Sequence, residues 1–122
     1  MKKTNSIDKL SFTQKVWCAC SLIPKGKVST YQELARFLGQ PNSFRAVGNA
    51  LNKNLDIPGI PCHRVINSSG ELGGYVLGVK KKIALLNQEG IQIEKNHILN
   101  LNKVLITAKE LKQVYRAVAK ID

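Results

Sequence analysis

Nowhere in the 122 residues does an apolar run approach the ~20 residues needed for a helix to span a bilayer. The N-terminus also lacks the apolar core of a secretory signal. The expectation is a soluble, intracellular protein, neither secreted nor membrane-bound. Acidic side chains are scarce as well: eight Asp and Glu stand against nineteen Lys and Arg, a formal net charge of +11. That excess suits a polyanionic partner, because each phosphate neutralised releases condensed counterions. A basic helix lying on a membrane surface would need bulky aromatics on its apolar face, and the last amphipathic segment does not supply them. Cysteine is limited to Cys18, Cys20 and Cys62. An odd count without framework spacing argues against a disulfide-stapled domain. Cys18-Ala19-Cys20 is not the paired spacing of a zinc site, and His97 stands alone, so no metal is expected. Cys18 and Cys20 fall inside an apolar helical pattern and read as core packing.

What remains is ordinary for a globular chain: 43% apolar and 22% charged residues, enough for one domain spanning 1–122 to bury its own core. Residues 1–10 are polar and expected to fray. Ser11 and Gln14 form a capping box, and Phe12, Val16, Trp17 and Cys20 recur at helical spacing up to Pro24. Thr30-x-x-Glu33 is a second capping box, with Leu34, Phe37 and Leu38 as the apolar face and Gly39 as the stop. After Gln40-Pro41-Asn42, the residues Phe44, Val47 and Leu51 mark a third helix. Two short helices joined around a glycine have the outline of a helix-turn-helix.

Pro58, Gly59 and Pro61 then forbid a helix. Arg64-Val65-Ile66 followed by the turn Asn67–Gly70 suggests a small hairpin or wing. Gly73 to Gly78 is a glycine-bracketed loop, and Val79, Ile83 and Leu86 define a fourth helix ending at Gly90. Ile91–Glu94 alternates like a short strand, and 96–106 is ambiguous. Thr107-x-x-Glu110 caps a last helix, about 108–121, with Lys109, Lys112, Arg116 and Lys120 on its polar positions. The expected fold is mainly α: a three-helix, winged helix-turn-helix-like DNA-binding core over 11–90, with a C-terminal extension over 91–122.

Pro61-Cys62-His63-Arg64-Val65 is the densest site signal. A thiolate is the nucleophilic form of cysteine, and free Cys, with a pKa of ~8.5, is only slightly ionised at neutral pH. An imidazole at the next position raises that fraction, directly or through a water. A third group would orient the imidazole; among few acids, Glu89 is the candidate. Lys80, Lys81 and Lys82 open the fourth helix, where the macrodipole disfavours cations. They read either as a solvated basic face or as contacts to DNA phosphates.

Taken together, the chain resembles the catalytic domain of the O6-alkylguanine-DNA alkyltransferases. The likeness rests on Pro61–Val65, on Arg45-Ala46-Val47-Gly48, on Val28–Ala35, on Gly74-Tyr75 with Gly78, and on Leu85-Leu86 with Glu89-Gly90. It runs from about Phe12 to Gly90.

The resemblance implies a protein that flips an O6-alkylguanine out of duplex DNA and takes the alkyl group irreversibly, once per molecule. Cys62 would be the acceptor, His63 its base through a water, Glu89 the group holding the imidazole, and Asn54 the support of the active-site turn. Tyr31 would rotate the 3′ phosphate and donate a proton to the leaving guanine. Arg45 would fill the gap left in the stack, with Ala46 and Gly48 small enough for close approach to the groove. The carbonyls of Cys62 and Val65 would accept from the guanine amino group, with Tyr75 and the Val76 amide bordering the pocket. The implied partner is double-stranded DNA, with no cofactor, in a monomer of the cytoplasm or nucleus. Many members carry a separate N-terminal domain, sometimes with zinc, and only about ten residues precede the first helix here. Val76 stands where some relatives have serine. Related alkyltransferase-like proteins bind damage without reacting and typically have tryptophan in place of the cysteine. A winged-helix regulator that neither flips nor reacts would leave Pro61–Arg64 without a purpose.

Overall fold

The computed structural model describes residues 7, 9–57 and 59–119; Pro58, Lys120 and residues 1–6, 8, 121 and 122 lie outside the described residues. The first helix, α1, covers Phe12–Ser21. Its box is complete: Ser11 Oγ accepts from the Gln14 amide at 3.2 Å and Gln14 Oε1 from the Ser11 amide at 3.0 Å. Val16, Ala19 and Cys20 are its buried face.

Helix α2, Tyr31–Phe37, starts at Thr30, whose hydroxyl accepts from the Glu33 amide at 3.0 Å. The expected reciprocal bond is not made. Glu33 instead accepts from the Ala108 amide at 2.8 Å and from Arg36 at 2.6 Å. The carboxylate meant for its own helix thus caps the last one.

Helix α3, Phe44–Asn52, follows the turn at Gly39 and completes the helix-turn-helix pair. Val47, Ala50 and Leu51 are buried, and the Trp17 indole donates to the Ala50 carbonyl at 2.9 Å, tying α1 to α3. Phe44, expected on the apolar face, is 40% exposed and departs from the pattern. One apolar cluster joins these three helices to Ile106 and Leu111.

The expected wing takes a different form. Strand β1, Ser29–Thr30, pairs in parallel with β2, Val65–Ile66. Asn67–Glu71 closes only a local turn, Asn67 N donating to Glu71 O at 2.9 Å. Val28 is flanked on the other side by 104–106, donating to Val104 O and accepting from Ile106 N.

Helix α4 is Val79–Gln88. Strands β3, Ile93–Glu94, and β4, His97–Ile98, form a small antiparallel pair, with α5, Leu101–Val104, after it. Around Val28, Ile66, Leu72, Leu86, Ile91 and Ile98 lies a second apolar cluster. The last helix, α6, spans Ala108–Ala119 and packs on α2, where Phe37 and Tyr115 meet edge to face at 6.2 Å. No helix among the described residues is long and apolar enough to cross a membrane.

Candidate active site at Cys62

Pro61 leads into a 3-10 turn, Cys62–Arg64, that places the cysteine at the junction of the loop after α3 and β2. The thiol is buried, 7% exposed, and lines a narrow cleft with Tyr31, Leu51, Gly74, Tyr75 and Val76. Asn54 is buried beneath it. Its Nδ2 donates to Ile60 O at 3.1 Å and to Cys62 Sγ at 3.5 Å, and its Oδ1 accepts from the Asp56 amide at 2.9 Å. One side chain therefore staples the loop and touches the sulfur.

His63 is buried beside Cys62, and its Nε2 lies 2.9 Å from Glu89 Oε2 at the end of α4. A carboxylate there accepts a hydrogen bond, so Nε2 carries the proton and Nδ1 is left as the basic nitrogen of the neutral ring. Among the described residues neither the buried Nδ1 nor the buried Tyr75 hydroxyl has a hydrogen-bond partner, and the two rings stand edge to face at 6.3 Å. Burial pushes the imidazole below its ordinary pKa. The bond and charge of Glu89 oppose this, while Arg64 and Lys82 add to it.

Arg64 has a role that the sequence did not disclose. Its Nε and Nη2 grip both oxygens of Glu89, at 2.8 and 2.7 Å, and its Nη1 donates to the Ile23 carbonyl at 2.8 Å. This bidentate fork fixes the carboxylate that orients the imidazole. Burial opposes ionisation of Glu89, but the bonds from Arg64 and His63 outweigh it and hold the carboxyl below its usual range. The only hint in the sequence was adjacency: Arg64 belongs to the same pentapeptide.

Tyr31, the first residue of α2, is half-buried, and its hydroxyl is pushed up in pKa by burial, then by the neighbouring thiols Cys62 and Cys20. A Cβ at Gly48 would lie 3.8 Å from the Tyr31 ring, an ordinary contact, so the packing of α3 against Tyr31 does not itself require glycine there. Gly73 has φ +70°, and a Cβ there would lie 3.2 Å from the Tyr31 hydroxyl, so both backbone and space favour glycine. Arg45 and Ala46 are exposed on α3, and Val76 is exposed at the cleft mouth. Val65 is buried in β2; its carbonyl accepts from Lys82 Nζ at 2.7 Å, and the Cys62 carbonyl accepts from the Val65 amide.

Lys82 corrects the expectation of a DNA-facing lysine. Its side chain is fully buried, and its ammonium is bonded to Val65, Leu72 and Gly74 carbonyls inside the protein. Only Lys80 and Lys81 of the triplet are exposed. The signal was available: Lys82 lies four residues before the buried Leu86 and next to the partly buried Ile83, on the inward face of α4, while Val79 is exposed. A roomier groove, about 430 Å³, lies between Phe37, Leu38 and Tyr115 with Lys15, Lys112 and Arg116 at its rim. No cysteine lines it.

Comparison with known proteins agrees with this fold. Residues 11–91 match the family model of the 6-O-methylguanine DNA methyltransferase DNA-binding domain. A methylated-DNA–protein-cysteine methyltransferase of Kluyveromyces lactis is 46% identical over 78 residues, 64% of this chain and 41% of the relative. Mycobacterium tuberculosis OGT in complex with DNA superposes with a TM-score of 0.65 and 44% identity, covering 66% of this chain and 49% of that one. Schizosaccharomyces pombe Atl1, bound to damaged DNA containing O6-carboxymethylguanine, gives a TM-score of 0.71 and 35% identity, covering 79% of this chain and 94% of that one. The chain spans from 22% to 51% of the length of the curated relatives it matches. By the extent of the matched model and the agreement in fold, this chain belongs to the 6-O-methylguanine DNA methyltransferase family, through its DNA-binding domain.

Proposed function

We propose that the chain repairs DNA by direct reversal, moving the alkyl group of an O6-alkylguanine onto Cys62. The observation that carries the reading is the series Cys62, His63, Glu89, Arg64, in which a cleft-lining thiol sits beside an imidazole whose tautomer is set by a clamped carboxylate. In the reaction, His63 Nδ1 takes the thiol proton through a water and the sulfur attacks the alkyl carbon. The new S–C bond forms as the C–O6 bond breaks, and the electron pair leaving with O6 is quenched by a proton from Tyr31. The tyrosine regains its proton from the imidazolium through solvent. The products are an S-alkylcysteine and unmodified guanine. A thioether does not hydrolyse, so each molecule acts once.

A stacked base cannot be approached in line by a thiolate, so the nucleotide must be turned out of the duplex. Arg45, exposed on α3, is suited to fill the gap, and Ala46 beside it leaves room for the groove. Carbonyls of Cys62 and Val65 would receive the guanine amino group between Tyr75 and the Val76 amide. With Lys82 turned inward, Lys80 and Lys81 remain for the phosphates. The working unit is a monomer acting on chromosomal DNA inside the cell, without a cofactor.

A second reading, damage recognition without chemistry, is favoured by the fuller coverage of Atl1. The two part on one experiment: a duplex whose restriction site is blocked by O6-methylguanine should become cleavable after incubation, one duplex per protein molecule. Tight binding with the site still blocked would select the recognition module.

A further inference from the structure

Lys82 is a buried charge that the reaction above leaves unused. No carboxylate neutralises it; among the described ion pairs none includes Lys82. Its three N–H bonds meet three backbone oxygens: Val65 at 2.7 Å, Gly74 at 3.0 Å, and Leu72. Retaining an unpaired ammonium in a core is costly, and it is kept by the three carbonyls it satisfies, which a methionine would leave without a donor. The cost is visible in its pKa, which burial brings down to about 8 although Cys62 and Cys20 pull it upward.

The three oxygens belong to two segments. Val65 continues the turn that carries Cys62, while Leu72 and Gly74 begin the wall formed by Gly74, Tyr75 and Val76. We infer that Lys82 is a positioning residue: by clamping these carbonyls it aims Val65 O at the amino group of the bound base and sets the gap between the cysteine turn and the pocket wall. The pocket thereby prefers alkylated guanine to a base that lacks the 2-amino group. This rests on the alkyl-acceptor reading of Cys62.

The test compares single-turnover methyl transfer from duplexes carrying O6-methylguanine or O6-methylhypoxanthine, which differ only in that amino group. The wild type should favour guanine by about tenfold, the worth of one well-aimed hydrogen bond. In Lys82→Met the ratio should fall close to one. In Lys82→Gln, which keeps a donor, it should fall no further than in the methionine variant. A role confined to stability would lower both rates and leave the ratio untouched, and that result overturns the inference while sparing the parent reading. Equal rates in the wild type also overturn it. If both variants lose their far-UV circular dichroism, Lys82 holds the fold rather than the pocket, with the same consequence. Absence of transfer from either duplex by the wild type removes the alkyl-acceptor reading and the inference with it.

Discussion

In the helix-turn-helix pair, Leu34, Ala35, Val47, Ala50 and Leu51 turn inward and Arg45 turns out, an arrangement held by apolar packing. The turn that carries Cys62 is held otherwise: by Asn54 beneath it, by the Glu89 carboxylate on one flank and by the Lys82 ammonium on the other. Apolar packing is forgiving, since a core tolerates changes that keep its volume. Buried polar groups are not, because each partner lost leaves another unsatisfied in a medium of low dielectric. The helix-turn-helix half should therefore absorb substitution with modest functional loss, and the half around Cys62 should fail sharply. Four substitutions and a pH profile test that contrast.

The largest effect is expected at the sulfur: Cys62→Ala should abolish transfer while leaving duplex affinity within about threefold, read by fluorescence anisotropy. A large loss of affinity would mean that the two halves are not separable. Glu89→Gln comes next. It keeps the shape but frees the imidazole and Arg64, and single-turnover transfer should slow by about a hundredfold, the usual contribution of an oriented base. A rate within threefold of wild type would remove the Glu89–His63 pair from the mechanism.

Arg45→Ala should slow transfer from duplex DNA by about tenfold and leave reaction with the free base O6-benzylguanine unchanged, because no stack needs to be opened. Equal losses with both substrates would place Arg45 in the chemistry instead. Leu34→Ala, in contrast, should cost about 2–5 kcal/mol of stability in denaturant unfolding yet leave the rate at 15 °C nearly intact. If it slowed transfer as much as Glu89→Gln, the contrast between the halves would collapse.

The smallest effect concerns pH. His63 acts as a base only when neutral, and its folded pKa lies below the ordinary value. Transfer should therefore hold at pH 6.5 and decline as pH falls through the lower folded value. Over the same window the unfolded chain binds more protons than the folded one, so stability falls in parallel. An acid half-point at or above 6.5 in the rate profile would contradict this.

Much of the packed half was legible in the sequence. Ser11 and Thr107 mark helix starts, and the 3.6-residue period locates Val47 and Leu51. The polar half was legible only in part. Asn54, His63 and Glu89 were chosen, and the structure brings them together around Cys62, but the role of Arg64 is not encoded in any local pattern, and Lys82 was read as surface although its spacing to Leu86 places it inward. A lysine that follows two others reads as surface, yet a rotation of about 100° per residue sends only Lys82 inward. Val65–Ile66 was read as β-prone, but β1 and its parallel pairing with β2 were missed, because two residues are too few for an alternating signal and the pairing joins positions far apart in the chain. Glu33 was misassigned for a similar reason, since its partner at Ala108 lies on the last helix.

The most direct test of the central claim is the mass of the intact protein before and after incubation with a duplex containing one O6-methylguanine, followed by peptide mapping. A gain of one methyl located on Cys62, and absent in Cys62→Ala, is the predicted result. An unchanged mass under conditions where the duplex is fully bound would contradict the account.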